Sequence, residues 1–184
     1  MRHNRASMAQ TDFGYRFCPR CAGALAWKVL KESEPERLVC QACAFVFYLD
    51  PKVAACTICM VDGGIVLLKR TIEPRMGTWV FPGGFVDRGE AVSAAAIRET
   101  LEESHLRVSL TGILDVYSFP GTEVAVVVYA AEVVGGTLSA GDECDEARAF
   151  PPEQIPWGEL AFESTRAALR DYVHRFFPRV RVPR

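Results

Sequence analysis

The chain has 184 residues and a net charge of −2, from 21 Lys and Arg against 23 Asp and Glu. That length allows one well-packed domain plus a small appendage, and the balanced charge gives no footprint for nucleic acid as the main partner, though a bound metal can still draw in a small anionic substrate. No apolar stretch reaches the roughly 20 residues of a membrane span, and seven cysteines, an odd count with no export signal, argue against a disulfide framework and for a reducing compartment, so a cytoplasmic location without a membrane partner is expected.

Met1 to Phe13 is polar and lacks an apolar segment; residues 1–16 read as a flexible leader, with Met8 an alternative start. Phe17-Cys18-Pro19-Arg20-Cys21 opens a small β unit, residues 17–50. Leu25 to Leu30 is apolar, Lys31 to Arg37 is a charged turn, and Leu38-Val39-Cys40-Gln41-Ala42-Cys43 follows. Two Cys-x-x-Cys pairs separated by 18 residues fit a tetrahedral site in which Cys18, Cys21, Cys40 and Cys43 hold zinc. Four thiolates leave no open position, so the zinc is structural and supplies folding free energy that so small a core cannot. Glu32, Glu34 and Glu36 dilute the basic charge that a nucleic-acid-binding ribbon needs.

Asp50-Pro51 marks a boundary before the main domain, residues 51–184. Val53–Val61 and Ile65–Arg70 read as strands joined by the Asp62-Gly63-Gly64 hairpin turn. Cys56 and Cys59 fall in the first strand, where side chains three apart face opposite ways, so they read as core residues rather than a redox pair. Trp79-Val80-Phe81 and the Pro82-Gly83-Gly84 turn lead to a helix over about Glu90 to Ser104. Strands follow at Leu110–Phe119 and Glu123–Val134, then an acidic loop, a segment ending at Phe150, and a helix over about Phe162 to Phe177 whose stripe is Phe162, Leu169, Val173 and Phe176–Phe177. Mixed elements without regular alternation indicate an α+β fold with a mixed sheet.

The first helix carries the chemistry. At 100° per residue Glu99 and Glu103 lie about 40° apart and Glu102 about 60° to the other side, so three carboxylates share one face, with Ala94, Ile97 and Leu101 expected on the core side. Such a cluster is commonly a solvated charged face. Here the carboxylates repel one another near the negative end of the helix, a repulsion that a hard divalent cation such as Mg²⁺ or Mn²⁺ removes. The Pro-Gly-Gly turn before the helix, Glu90 near its start and Arg98 beside Glu99 favour the metal reading.

Gly84 to Leu106 resembles the Nudix box, Gly-x₅-Glu-x₇-Arg-Glu-U-x-Glu-Glu-x-Gly-U with U a bulky apolar residue: Gly84, Glu90, Arg98, Glu99, Glu102, Glu103 and Leu106 match. Thr100 stands where the box has an apolar residue, and His105 replaces the glycine that ends the helix, at a cost of about 1 kcal/mol. The resemblance runs from Phe17 to about Phe177, because a zinc ribbon followed by this box looks like one branch of the family. It implies an α/β/α sandwich, metal ligation by Glu99, Glu102 and Glu103 with the Gly84 carbonyl, and orientation of the carboxylates by Arg98 with Glu90 as its partner. It also implies a general base from a later loop, Glu146 first and Glu143 second, where plain solvated acid is the competing reading. Arg70 and Arg75 are candidates to reach phosphates. Trp79, Phe81 and Tyr129 are candidates to stack on a base, although aromatics beside a Gly-rich turn are often core.

The resemblance points to hydrolysis of a nucleoside diphosphate derivative. The Ser-Gln-Pro-Trp-Pro-Phe-Pro segment of NADH pyrophosphatases is absent, while the stretch Phe150 to Phe162 looks like the branch acting on ADP-ribose and FAD. The expected order is therefore ADP-ribose or FAD, then NADH, and a homodimer is a family-level expectation. The competing classes are a non-catalytic nucleotide sensor, which would lose box carboxylates, and a nucleic-acid-binding regulator acting through the ribbon.

Overall fold

A computed structural model describes residues 14–183, so the expected leader lies, up to Phe13, outside the described residues. Internal contacts divide the chain into two compact units, Met1–Asp50 and Pro51–Arg184. No helix among the described residues is long and apolar enough to cross a membrane.

The first unit is a three-stranded antiparallel sheet of β1 (Leu25–Lys28), β2 (Arg37–Cys40) and β3 (Val46–Phe47) in that order. Each Cys-x-x-Cys turn closes in the same way. Ala22 and Ala44 take positive φ of 58° and 57°, and their N–H groups return to Cys18 O at 2.9 Å and Cys40 O at 3.1 Å. The Arg20 and Cys43 amides each donate to a cysteine Sγ at 3.4 Å, aiming the sulfurs inward. Little besides Leu38, Val39, Cys18 and Cys40 is buried, too small a core to hold a fold without a further tie.

In the second unit β4 (Lys52–Ile58), β5 (Met60–Val61), β6 (Gly64–Arg70), β7 (Trp79–Val80) and β8 (Gly83–Phe85) precede α1 (Val92–Ser104); β9 (Leu106–Tyr117), β10 (Val124–Gly136), β11 (Cys144–Phe150) and α2 (Glu163–Phe176) follow. One sheet runs β8-β4-β10-β9, with β4 and β10 parallel and the other pairs antiparallel. The other runs β11-β6-β5, with β7 on β6. The sheet is thus mixed, as expected. The strand read as Val53–Val61 is interrupted at Cys59, where the chain passes from one sheet to the other. Cys56 and Cys59 are both buried, in separate core clusters. The hairpin turn forms with φ of 50° at Asp62 and 80° at Gly63, the left-handed pair that matches strand twist.

Leu169 and Val173 of α2 are buried between the sheet residues of the main core, while Phe176 is largely exposed. Helix α1 reverses the expectation for its core face. It starts at Val92, leaving Glu90 just outside, and it buries Ala95, Ala96, Thr100 and Ser104, whereas Ile97 and Leu101 are 40% and 44% exposed. The cause is close approach. Small side chains bring the helix down on β4, and Thr57 Oγ1 and Thr100 Oγ1 meet at 2.7 Å between them. The buried face therefore overlaps the carboxylate face instead of opposing it. Ala95 and Ala96 pack against Tyr129 and Ala55.

Candidate active site

Strand β8 pairs with β4, and helix α1 packs against both. Ala55 and Cys56 of β4 pair with Gly84 and Gly83, and the Thr57 N–H donates to Pro82 O at 2.9 Å. Gly83 is required by space, and Gly84 leaves room for an acid. A Cβ on Gly83 would stand 2.4 Å from Cys56 Sγ, and one on Gly84 would stand 2.5 Å from the Glu99 carboxylate. The Gly83 N–H donates to Glu103 Oε2 at 2.8 Å, so the turn binds one acid and makes room for another.

Arg98 gathers the rest. Its Nε and Nη2 grip the two oxygens of Glu90, both at 2.9 Å, its Nη1 reaches Glu99 at 2.8 Å and Glu102 at 3.1 Å, and Nη2 also donates to Phe85 O at 3.3 Å. This forked pairing suits a guanidinium and not an ammonium. The hydrogen bonds from Arg98, then that from the Asp87 amide, hold the Glu90 carboxyl down at about 2. Burial raises Glu99 against the pull of Arg98, and burial pushes Glu103 up to about 7, opposed by the Gly83 N–H and aided by the charges of Glu99 and Glu143.

Two half-buried acids raised in this way form an oxygen-only donor set short of positive charge, and a hard divalent cation fits that deficit. The side chains do not converge on one point: Glu99 and Glu102 share Arg98 Nη1 while Glu103 turns to Gly83. Glu102 is 57% exposed and paired with Arg98 on the solvent side. Among the described residues the ligand atoms that do converge are the thiols of Cys18, Cys21, Cys40 and Cys43, all within 4.8 Å of one another. The Cys43 and Ala42 amides pull the Cys40 thiol down, while hydrogen bonds with Cys43 and Cys40 push its neighbour Cys21 up, as thiols crowded together do.

The other expected residues divide. The positive charge of Arg70 reaches Glu103, while its guanidinium donates to Pro74 O at 3.1 Å and Ile72 O at 3.4 Å. Arg75 is exposed in a loop residue of positive φ, with its carbonyl accepting from Thr78. Trp79 and Phe81, candidates for base stacking, are instead buried in the main core, Trp79 edge-on to Phe150 at 4.8 Å. At 4% and 1% exposure neither ring is open to a base, and Tyr129 is likewise enclosed under α1. Of the two acids considered for the base, Glu143 is exposed and its charge raises both Glu99 and Glu103, whereas Glu146 lies on β11 opposite Lys69.

Sequence reading passed over Phe85, which is 51% exposed beside Gly84 with Lys52 Nζ 4.9 Å from its ring centre. Phe85, Lys52 and Arg88 line a cleft of about 430 Å³ with Pro51, Val53 and Val86. A large apolar residue placed directly after paired glycines was the available signal.

A NUDIX domain profile matches residues 50–176, and a Nudix N-terminal zinc-ribbon profile matches residues 16–49. The chain is 38% identical over 130 residues to the ADP-ribose pyrophosphatase of Methanocaldococcus jannaschii, covering 68% of this chain and 75% of that protein. It is 24% identical over 151 residues to the NAD-capped RNA hydrolase NudC of Pectobacterium carotovorum, covering 81% of this chain but only 56% of that relative. A NUDIX hydrolase structure from Nitrosomonas europaea superposes with a TM-score of 0.83 at 29% identity, over 92% of this chain and 97% of the other.

Proposed function

The chain belongs to the Nudix family and is a pyrophosphohydrolase, and from that premise we propose that it cleaves ADP-ribose in the presence of Mg²⁺ or Mn²⁺, releasing AMP. FAD, which carries the same ADP-diphosphate portion, is the next substrate in order, then NADH. The observation that carries the reading is the complete carboxylate set, with Glu99 and Glu102 on the Arg98 guanidinium and Glu103 on the Gly83 N–H, beside Gly84, where a Cβ would meet the Glu99 carboxylate. A ligand-sensing relative that had lost catalysis would have no need of it.

Glu99, Glu102 and Glu103, with the Gly84 carbonyl, would hold the divalent metal. When bound, it neutralises charge on the diphosphate oxygens and lowers the pKa of a coordinated water. Arg98, anchored by the bidentate Glu90 pair, holds Glu99 and Glu102 in register. Glu143 takes the proton of the attacking water, and its place near Glu99 and Glu103 supports that role over Glu146. Exposed Phe85 and the cations Lys52 and Arg88 offer a stacking face and positive charge beside the box for the nucleotide. Zinc on the four cysteines of the first unit is structural. Domain boundaries at residues 17–50 and 51–184, with the first unit a zinc ribbon and the second catalytic, complete the proposal.

The test is product analysis with ADP-ribose, FAD and NADH under each metal. AMP from ADP-ribose in preference to the other two supports the assignment. Preference for FAD or NADH would move the substrate, and no AMP from any of the three in zinc-loaded protein would refute it.

A further inference from the structure

The loop spanning residues 137–143, which ends in Glu143, is fastened to the C-terminal end of α1, and His105 supplies the side-chain contact. His105 holds the left-handed conformation, φ 56° and ψ 18°, with its N–H on Leu101 O. In that conformation Nδ1 lies 2.9 Å from Ser139 Oγ and 3.3 Å from Ser139 O. Beside it the Ser139 N–H donates to Ser104 O at 3.2 Å and the Gly141 N–H to Glu103 O at 2.9 Å, so the loop caps carbonyls that the helix leaves without partners. A Cβ on Gly141 would sit 2.3 Å from Glu102 O, which shows the loop lying directly on the helix backbone. Leu138 and Ala140 give it partial apolar footing, buried Cys144 anchors its far end, and the Glu143 carbonyl accepts from the Thr71 N–H at 3.1 Å; between these two anchors the loop is held on the helix end by the polar contacts just given.

We propose that His105 is a positioning residue: by gripping Ser139 it docks this loop on the end of α1 and holds Glu143 toward the carboxylates of the active site. A cap alone does not call for histidine, because glycine adopts this φ with no side-chain penalty. The imidazole is the feature that glycine lacks, and its partner is the loop carrying the acid. The inference rests on the assignment of Glu143 as the base, and it explains why this chain departs from the family pattern at a position where the departure costs stability.

The experiment compares zinc-loaded full chain with His105→Gly, His105→Asn, Glu143→Gln and the His105→Gly/Glu143→Gln double variant. Two readouts are taken: hydrogen exchange at the Ser139 and Gly141 amides, and kcat and KM for AMP release from ADP-ribose with Mg²⁺. His105→Gly is expected to melt no lower than wild type. Its two loop amides should exchange about tenfold faster and its kcat should fall about tenfold, as loss of a hydrogen-bonded clasp implies, with KM little changed. His105→Asn, which tolerates the left-handed conformation and keeps a polar group, should recover most of both. In the Glu143→Gln background the glycine variant should add no further loss. Unchanged exchange at both amides in His105→Gly overturns the clasp whether or not ADP-ribose is turned over. Glu143→Gln with wild-type kcat removes the base assignment and this inference with it, whereas loss in Glu143→Gln beside an unaffected His105→Gly overturns the inference alone.

Discussion

Replacing Thr100 by valine should strand one hydroxyl in the interior. Thr57 and Thr100 are both fully buried, and their Oγ1 atoms are 2.7 Å apart. Thr100 Oγ1 also donates to Ala96 O at 2.7 Å, so Thr57 is the donor of the pair. Thr100→Val keeps the shape and removes the acceptor, leaving the buried Thr57 hydroxyl only the weak Cys59 sulfur as a partner, which costs about 1–3 kcal/mol. For a chain of this size that is a fall in Tm of roughly 3–10 °C. Thr57→Val leaves Thr100 bonded to Ala96 and should cost under about 1 kcal/mol, while the double variant, with no orphan group, should recover most of the loss. Thermal unfolding followed at 222 nm reports on this unit, since α1 and α2 both lie in it. A Thr100→Val protein as stable as wild type, or a double variant whose loss is the sum of the singles, would show that the hydroxyl pair is not what replaces the apolar residue of the box.

Gly84→Ala should lower kcat by about a hundredfold or more while the chain still folds, because the added methyl displaces the Glu99 carboxylate rather than the backbone; a kinetic assay beside a melting curve separates the two effects. Glu90 is held at about 2 by Arg98, below its unfolded value of 4.5. Its contribution to stability is therefore complete above the unfolded value and is lost as pH falls through the folded one. The difference in Tm between wild type and Glu90→Gln should thus shrink between pH 5 and about 2, and a constant difference across that window would contradict the pairing. Chelation should remove one zinc per chain and expose Cys18, Cys21, Cys40 and Cys43 to a thiol reagent, while buried Cys56, Cys59 and Cys144 stay protected; metal analysis with thiol counting checks this.

Periodicity and turn chemistry made much of this fold legible. The Asp62-Gly63 hairpin, the buried stripe at Leu169 and Val173, and the cysteine spacing all express local rules that tertiary context did not override. Helix α1 misled because its apolar residues, Ile97 and Leu101, are not its contact residues. Close approach selected Ala95, Ala96 and Thr100 instead, and the compensating hydroxyl, Thr57, lies 43 residues away. Trp79 and Phe81 look alike as stacking surfaces or core, and only their burial in the main core distinguishes the two. The shared face of Glu99, Glu102 and Glu103 was readable because spacing along one helix sets it. The partners from elsewhere, Glu143 and Ser139, depend on where a loop lands, which no short-range pattern encodes.

The central claim is that the carboxylate face of α1 binds a divalent metal and with it hydrolyses a nucleoside diphosphate derivative. Its most direct test is a Mg²⁺ titration of AMP release from ADP-ribose by wild type and by Glu102→Gln, a substitution at an exposed side chain that leaves the buried pair intact. Wild type should show saturable Mg²⁺ dependence and no turnover without metal, and the folded variant a loss of at least about a hundredfold. Metal-independent AMP release, or a Glu102→Gln enzyme with wild-type rate and Mg²⁺ affinity, would contradict it.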